Sequence, residues 1–127
     1  MPILLQIALG GALGASARYL LASATTRLVG PDFPWGTFLV NVVGCFGIGL
    51  AAGLLFGASD LAPRRFAPFV VPGLLGGFTT FSAFTLETFQ LMERGSFAAA
   101  LAYVGGSVGL GLAALVAGLG VARWIVA

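Results

Sequence analysis

Charged residues divide the chain into four long uncharged stretches, which cover residues 1–17, 33–59, 66–86 and 95–122. A helix that crosses a bilayer needs roughly 20 mainly apolar residues, so each stretch is long enough for one span. The pattern predicts helices at about 3–22, 36–57, 67–92 and 97–122, within a single transmembrane domain of residues 1–127. Loops are expected at 23–35, 58–66 and 94–96, where Pro, Gly and charged residues collect. The predicted fold is an all-α integral membrane protein with four transmembrane helices.

The composition excludes most soluble functions. Charged residues make up 8% and hydrophobic residues 59% of the 127 residues, whereas a soluble domain has about a quarter charged residues. The chain has no His and no Lys, and Cys45 is its single cysteine, which excludes a Ser-His-Asp triad, a Schiff-base lysine and an internal disulfide. Its net charge of +2 comes from scattered arginines, unlike a nucleic-acid-binding surface. We expect a multi-pass protein of the plasma (inner) membrane that contacts lipid, is not an enzyme and binds no nucleic acid.

The arginines give almost no preferred orientation in the membrane. Four spans place both termini on one side, which would carry Arg64, Arg65 and Arg123, while the other side would carry Arg18, Arg27 and Arg94. Orientation follows the excess of Lys and Arg in short loops, and here the two sides are equal. Either other features set a single orientation weakly, or copies insert both ways and pair antiparallel. The residues alone leave both interpretations open.

Glycines recur at four-residue spacing on three of the predicted helices. Apolar helices associate in lipid through close backbone approach at small residues, because hiding from lipid tails gains them nothing. We therefore expect tight packing, within or between subunits, at Gly10 and Gly14, at Gly49, Gly53 and Gly57, and at Gly105 and Gly109.

Polar side chains inside the spans are the candidate functional residues, since each costs free energy in lipid unless it has a partner or meets water. Thr37 and Asn41 share a face of the second helix, and Tyr103 and Ser107 share a face of the fourth. The third span carries Thr79, Thr80, Ser82, Thr85, Glu87 and Thr88. A single Ser or Thr usually bonds a backbone carbonyl, but three polar faces together predict a hydrophilic path. Near an anion path the Glu87 carboxylate would have to be protonated, turned away or engaged as an acceptor.

The third span is also predicted to break in mid-membrane. Pro72-Gly73 is followed by Gly76-Gly77-Phe78-Thr79-Thr80, and paired glycines before β-branched residues are poor continuous helix. The break is either a packing kink or a site where freed backbone groups hold ions. Phe78, Phe81 and Phe84 follow at helical spacing. Their positive ring edges could attract a small anion weakly enough to release it.

These motifs resemble the Fluc (also called CrcB) family of fluoride channels over essentially the whole chain. The matching stretches are GGALGASARY (10–19), PWGTFLVNVVG (34–44) and GLLGGFTTFSAFTLET (73–88). The resemblance implies an antiparallel dual-topology homodimer with two fluoride pores and a structural Na⁺ on the two-fold axis. In that arrangement the backbone carbonyls of Gly76 and Thr79 from both subunits would bind the Na⁺.

The same resemblance implies roles for the residues of the predicted hydrophilic path, which is called the polar track below. Phe81 and Phe84 would present ring edges to the pore, and the Asn41 amide would donate to fluoride beside them. Arg18 would hold the vestibule positive or anchor the first helix. The remaining residues of the expected fluoride pore are Thr37, Thr80, Ser82, Glu87, Tyr103 and Ser107.

The expected function is passive, selective release of fluoride from the cytoplasm, which reduces fluoride toxicity. One alternative is a small proton-coupled exporter of the same dual topology, with Glu87 as the proton carrier. The other alternative is a membrane scaffold subunit that transports nothing, which would explain the glycines but leaves Asn41, Thr79, Thr80 and Glu87 without a purpose.

Overall fold

The computed structural model describes residues 1–57 and 62–127, and all of the elements it describes are helical. Four helical segments are long and apolar enough to cross a membrane, which confirms the four predicted spans of a multi-pass membrane protein. The first two are α1 (Ile3–Val29) and α2 (Trp35–Phe56). The third consists of a 3₁₀ helix (Ala62–Phe66), a π-helix (Phe69–Leu75), a single α-helical turn (Gly76–Phe78) and α3 (Phe81–Glu93). The fourth is α4 (Phe97–Val126). The predicted loop at 58–66 lies partly outside the described residues.

Helix α1 continues to Val29, beyond the predicted end near residue 22. The threonines in this extension bond their own helix, since Thr25 Oγ1 donates to the Leu21 carbonyl at 2.7 Å and Thr26 Oγ1 donates to the Ala22 carbonyl at 3.0 Å. Hydropathy marks where the apolar membrane core ends, whereas a helix continues until its backbone is capped. Gly30 provides that end with a φ of 87°, which suits a residue without a Cβ.

Helices α2 and α4 pack backbone to backbone through glycines. A Cβ on Gly49 would collide with the Leu115 carbonyl, and one on Gly118 would collide with the Phe46 carbonyl. Gly49 therefore packs as the sequence predicted. Gly105 and Gly109 make no such contact within the protomer, because a Cβ on either would meet no described atom within 4 Å, and packing between subunits stays a prediction there. The face of α4 that meets α2 is the one that carries Gly118.

The first half of the third span packs against α1 in the same way. Gly10 and Gly14 are buried, and a Cβ on Gly14 would collide with the Leu74 carbonyl. A Cβ on Gly77 would lie 2.7 Å from the Gly11 carbonyl. This close approach fixes the broken segment against the long helix α1.

The π-helix contains Pro72. Proline has no backbone N–H, and its ring clashes with the carbonyl one turn earlier, so it disfavours an ordinary α-helical turn. A wider π-turn accommodates the ring at the start of the third span. The sequence predicted a mid-span break from the glycine–threonine run that follows Pro72-Gly73, but it did not predict the π-helix.

Candidate functional site

The third span breaks at two extended residues. Thr79 has φ −80° and ψ 157°, and Thr80 has φ −150° and ψ 117°, so both leave the helical region. Thr79 bonds back to the turn before it, because its N–H and its hydroxyl each donate to the Leu75 carbonyl at 3.0 Å. Thr80 caps the helix after it, since its Oγ1 accepts from the Ala83 N–H at 3.2 Å. The predicted mid-span break is therefore confirmed and is a true interruption of the backbone hydrogen-bond ladder.

Asn41 closes this break from helix α2. Its Nδ2 donates to the Thr80 carbonyl at 2.9 Å, and its Oδ1 accepts from the Thr80 N–H at 2.8 Å. The side-chain amide thus pairs with the Thr80 backbone as a neighbouring strand would. An amide nitrogen carries two hydrogens, so one N–H of Asn41 remains beyond this pair. The sequence predicted Asn41 as a donor in the pore but did not predict its pairing with the break.

The break also frees backbone carbonyls. In a continuous helix the Thr80 N–H would bond the Gly76 carbonyl and the Ala83 N–H would bond the Thr79 carbonyl. Here those two N–H groups bond the Asn41 side chain and the Thr80 hydroxyl instead. Gly76 and Thr79 are the two residues expected to bind Na⁺, and carbonyl oxygens are suitable ligands for a hard cation. The chemistry of this donor set therefore fits the ion, and Gly76 and Thr79 would hold it with their carbonyl oxygens. No group of three or more His, Cys, Asp or Glu side chains suited to a metal occurs among the described residues.

Glu87 lies between α2 and α4 and accepts one hydroxyl on each carboxylate oxygen. Thr37 Oγ1 donates to Oε1 at 2.8 Å, and Tyr103 OH donates to Oε2 at 2.7 Å. Thr37 is 7% exposed and Tyr103 is fully buried. Of the three states considered for Glu87, the structure shows the carboxylate engaged as an acceptor. These two bonds join three of the four spans at one point.

Aromatic rings connect the break to Glu87. The Phe84 ring lies 5.7 Å from the Phe81 ring and 5.1 Å from the Tyr103 ring, centre to centre. Phe84 also packs against the buried cluster of Leu91, Ala100 and Tyr103. Phe78 precedes the break and therefore does not share a helix with Phe81, so the expected three-ring stripe is reduced to two rings. Phe81 is 76% exposed and projects from the protomer.

Two cavities lie at the ends of this aromatic connection. The break cavity, of about 260 Å³, is lined by Asn41, Cys45, Ile48, Thr79, Thr80, Phe81 and Leu115. The Glu87 vestibule, of about 410 Å³, is lined by Ala22, Ser23, Thr26, Arg27, Pro34, Gly36, Thr37 and Glu87. A further cavity of about 200 Å³ next to the vestibule is also lined by Glu87, together with Gln90 and Arg94. Sequence reasoning used Arg27 and Arg94 only to judge orientation, and their nearness to Glu87 in the folded chain had no sequence signal.

The remaining predicted residues are placed as follows. The Ser82 and Thr80 hydroxyl oxygens are 3.4 Å apart, beside the break. Ser107 lies one turn after Tyr103 on α4, and its Oγ is buried with no hydrogen-bond partner among the described residues. Thr85 and Thr88 bond backbone carbonyls of their own helix, as single threonines usually do. Arg18 is half-buried near the middle of α1, one turn beyond Gly14.

Comparison with known proteins gives one consistent result. The family model described as CrcB-like protein, Camphor Resistance (CrcB), matches residues 5–119. A protein of Cereibacter sphaeroides called fluoride-specific ion channel FluC is 56% identical over 120 residues, which cover 94% of each chain. A protein of the same name from Paracoccus denitrificans is 54% identical over 123 residues, covering 97% of this chain and 96% of the relative. One from Nitrobacter winogradskyi is 48% identical over 122 residues, covering 96% of each chain.

Proposed function

Since this chain belongs to the CrcB-like family, we propose that it is a fluoride-selective channel through which fluoride leaves the cytoplasm passively. The relatives compared above bear the name fluoride-specific ion channel and match it almost end to end. In bacteria, a multi-pass protein with four spans of this kind lies in the inner membrane. A channel of this class forms and breaks no covalent bonds in its substrate, so no catalytic residues are assigned.

The observation that carries the proposal is a row of polar groups between two cavities. Asn41 lines the break cavity and Thr37 lines the Glu87 vestibule. The two residues are one turn apart on α2, a rise of about 5–6 Å. Phe81, Phe84 and Tyr103 bridge the same interval from α3 and α4. We infer that a small ion passes between the two cavities along this row.

The chemistry of this row suits an anion that is small and strongly hydrated. Such an ion gives up its water only where good donors replace it. The second N–H of Asn41, the hydroxyls of Thr80 and Ser82, and the ring edges of Phe81 and Phe84 are neutral donors or positive ring edges. No arginine of the described residues lines the break cavity, so the ion meets no fixed positive charge from them that would retain it there.

Glu87 takes part by joining the helices around this row. Its carboxylate accepts the hydroxyl hydrogens of Thr37 and Tyr103, which holds α2 and α4 against α3. Arg27 and Arg94 line the two cavities that Glu87 adjoins. Their positive charges offset the repulsion between the carboxylate and an approaching anion.

We also propose that the working unit is an antiparallel homodimer with two such pores. The balanced arginines agree with insertion in both orientations. Phe81, which is 76% exposed in the protomer, would be covered by a second copy. A Na⁺ on the two-fold axis would be coordinated by the freed carbonyl oxygens of Gly76 and Thr79 from each subunit. Arg18, half-buried one turn beyond Gly14, would hold a vestibule positive or anchor the first helix.

The two alternatives make different use of the same residues. A proton-coupled exporter would need Glu87 to gain and lose a proton in each cycle, whereas a channel needs only its hydrogen bonds. A scaffold subunit leaves the paired amide of Asn41 and the two cavities without a purpose. The test is efflux from liposomes loaded with both fluoride and chloride and containing the purified chain alone, followed with ion-selective electrodes. Rapid loss of fluoride with retention of chloride is expected. Retention of both ions by folded protein would refute the channel.

A further inference from the structure

A cavity of about 480 Å³ lies at the end of the protomer opposite the Glu87 vestibule. Met1, Gln6, Arg65, Phe66 and Phe69 line it, so it lies between the first turn of α1 and the start of the third span. Gln6 and the vestibule residue Ala22 are sixteen residues apart on α1, which corresponds to a rise of roughly 24 Å. The cavity therefore faces the opposite membrane surface, and its volume falls within the range of about 300–1,000 Å³ that small-molecule sites occupy.

Arg65 lies at this cavity beside an aromatic ring. Its guanidinium carbon is 4.8 Å from the centre of the Phe66 ring, close enough for a cation–π interaction that favours this placement of the side chain. A guanidinium presents paired N–H donors that match a phosphate group. The adjacent Arg64 is also exposed but does not line the cavity.

The rest of the wall is mainly apolar. Phe66 is 52% exposed and Met1 is 71% exposed, so both offer apolar surface to a bound molecule. Gln6 is the polar exception. Its Nε2 donates to the Met1 carbonyl at 3.2 Å, while its Oε1 is buried and has no partner among the described residues. The wall thus combines the Arg65 guanidinium, one acceptor that lacks a donor there, and mainly apolar side chains.

We propose that this cavity binds one anionic phospholipid. The phosphate would bond Arg65, the headgroup hydroxyls would lie beside Gln6, and the acyl chains would lie against Phe66, Phe69 and Met1. Charge complementarity selects this occupant, because basic cavities between spans at a membrane surface attract anionic headgroups. The site is separate from the fluoride track, so its test does not depend on conduction.

The experiment titrates delipidated protein in detergent with phosphatidylglycerol and follows bound lipid by native mass spectrometry and thermal unfolding. Arg65→Gln should weaken phosphatidylglycerol binding about fivefold, the effect expected of one arginine at an anionic membrane surface. Arg64→Gln is the matched control, since it removes the same charge one residue away from the cavity wall. It should change the affinity by less than about twofold.

Four results would overturn the proposal. Equal weakening by the two variants would indicate diffuse surface charge. Equal affinity of the wild type for phosphatidylcholine would indicate an apolar cavity without headgroup recognition. Equal stabilisation by inorganic phosphate would indicate a site for free anions. Loss of the dimer in Arg65→Gln with unchanged lipid binding would assign the cavity to a second copy of the chain.

Discussion

Replacing Asn41 with Asp tests the proposed track where the Asn41 amide pairs with the Thr80 backbone. The two side chains have nearly the same shape, and the carboxylate keeps the acceptor that the Thr80 N–H uses at 2.8 Å. It loses the donor that lies 2.9 Å from the Thr80 carbonyl and places an oxygen there instead. We expect the break to weaken by about 1–3 kcal/mol, the cost of a lost hydrogen bond that leaves an unsatisfied buried acceptor.

The effect on flux should be larger than the effect on folding. A unit negative charge about 5 Å from a passing anion raises its energy by about 3 kcal/mol at an effective dielectric constant near 20. Because about 1.4 kcal/mol is a factor of ten, fluoride flux should fall by about two orders of magnitude. Dimer formation should persist, since the substitution changes no apolar surface. The assay is fluoride efflux from liposomes, with size-exclusion chromatography to follow the dimer.

The fluoride flux of the Asn41→Asp variant should also depend on pH. When the carboxyl group introduced by Asn41→Asp is protonated, it is neutral and regains a donor for the Thr80 carbonyl, so the flux of the variant should rise as the pH falls. The control is Gln90→Glu, which makes the same amide-to-carboxylate change at an exposed residue beside Glu87. Solvent screening there should limit the loss to less than about fivefold. Wild-type flux through a folded Asn41→Asp dimer at neutral pH would refute the role of Asn41.

Three further predictions concern the rings, the carboxylate and the helix packing. Phe81→Ile should reduce fluoride flux about tenfold or more without loss of the dimer, because an aliphatic side chain has no positive edge; normal flux would remove Phe81 from the pore. Glu87→Gln should weaken but not abolish flux in liposomes, since one carboxylate acceptor is replaced by a donor; complete arrest would favour the proton-coupled exporter. Gly49→Ala should lower the stability to thermal unfolding by about 1–3 kcal/mol, because its Cβ collides with the Leu115 carbonyl. Gly120→Ala, whose Cβ would meet no described atom within 4 Å, is the control, and equal losses would contradict the packing argument.

The positions of the helices follow from hydropathy, but their exact ends do not. Apolar stretches located the four spans because an unpaired backbone is too costly in lipid for any form other than helix. The same reasoning placed the end of α1 near residue 22, whereas the helix ends at Val29. A helical backbone satisfies its own hydrogen bonds outside the apolar region too, so α1 continues until Gly30 ends it, and hydropathy does not measure that end.

For the candidate site, the sequence likewise identified the residues but not their hydrogen-bond partners. Polar residue types and their spacing in the sequence identified Asn41, Glu87 and the break, because a polar group inside a span is costly and therefore informative. The partners of these groups are distant in sequence: Asn41 pairs with Thr80 across 39 positions, and Glu87 with Thr37 across 50. Spacing along one helix cannot indicate which donor of another helix meets a given acceptor.

The sequence by itself determined the membrane class, the four spans, the break at the glycine-threonine run and the family, since each depends on residue type and local spacing. Only the tertiary structure decided that the Asn41 amide closes the break, that Glu87 accepts two hydroxyls, and that α4 meets α2 through the face of Gly118 and not that of Gly105 and Gly109. The physical reason is that hydrogen-bond satisfaction and close packing depend on the relative rotation and height of helices, which the chain settles only when they pack together.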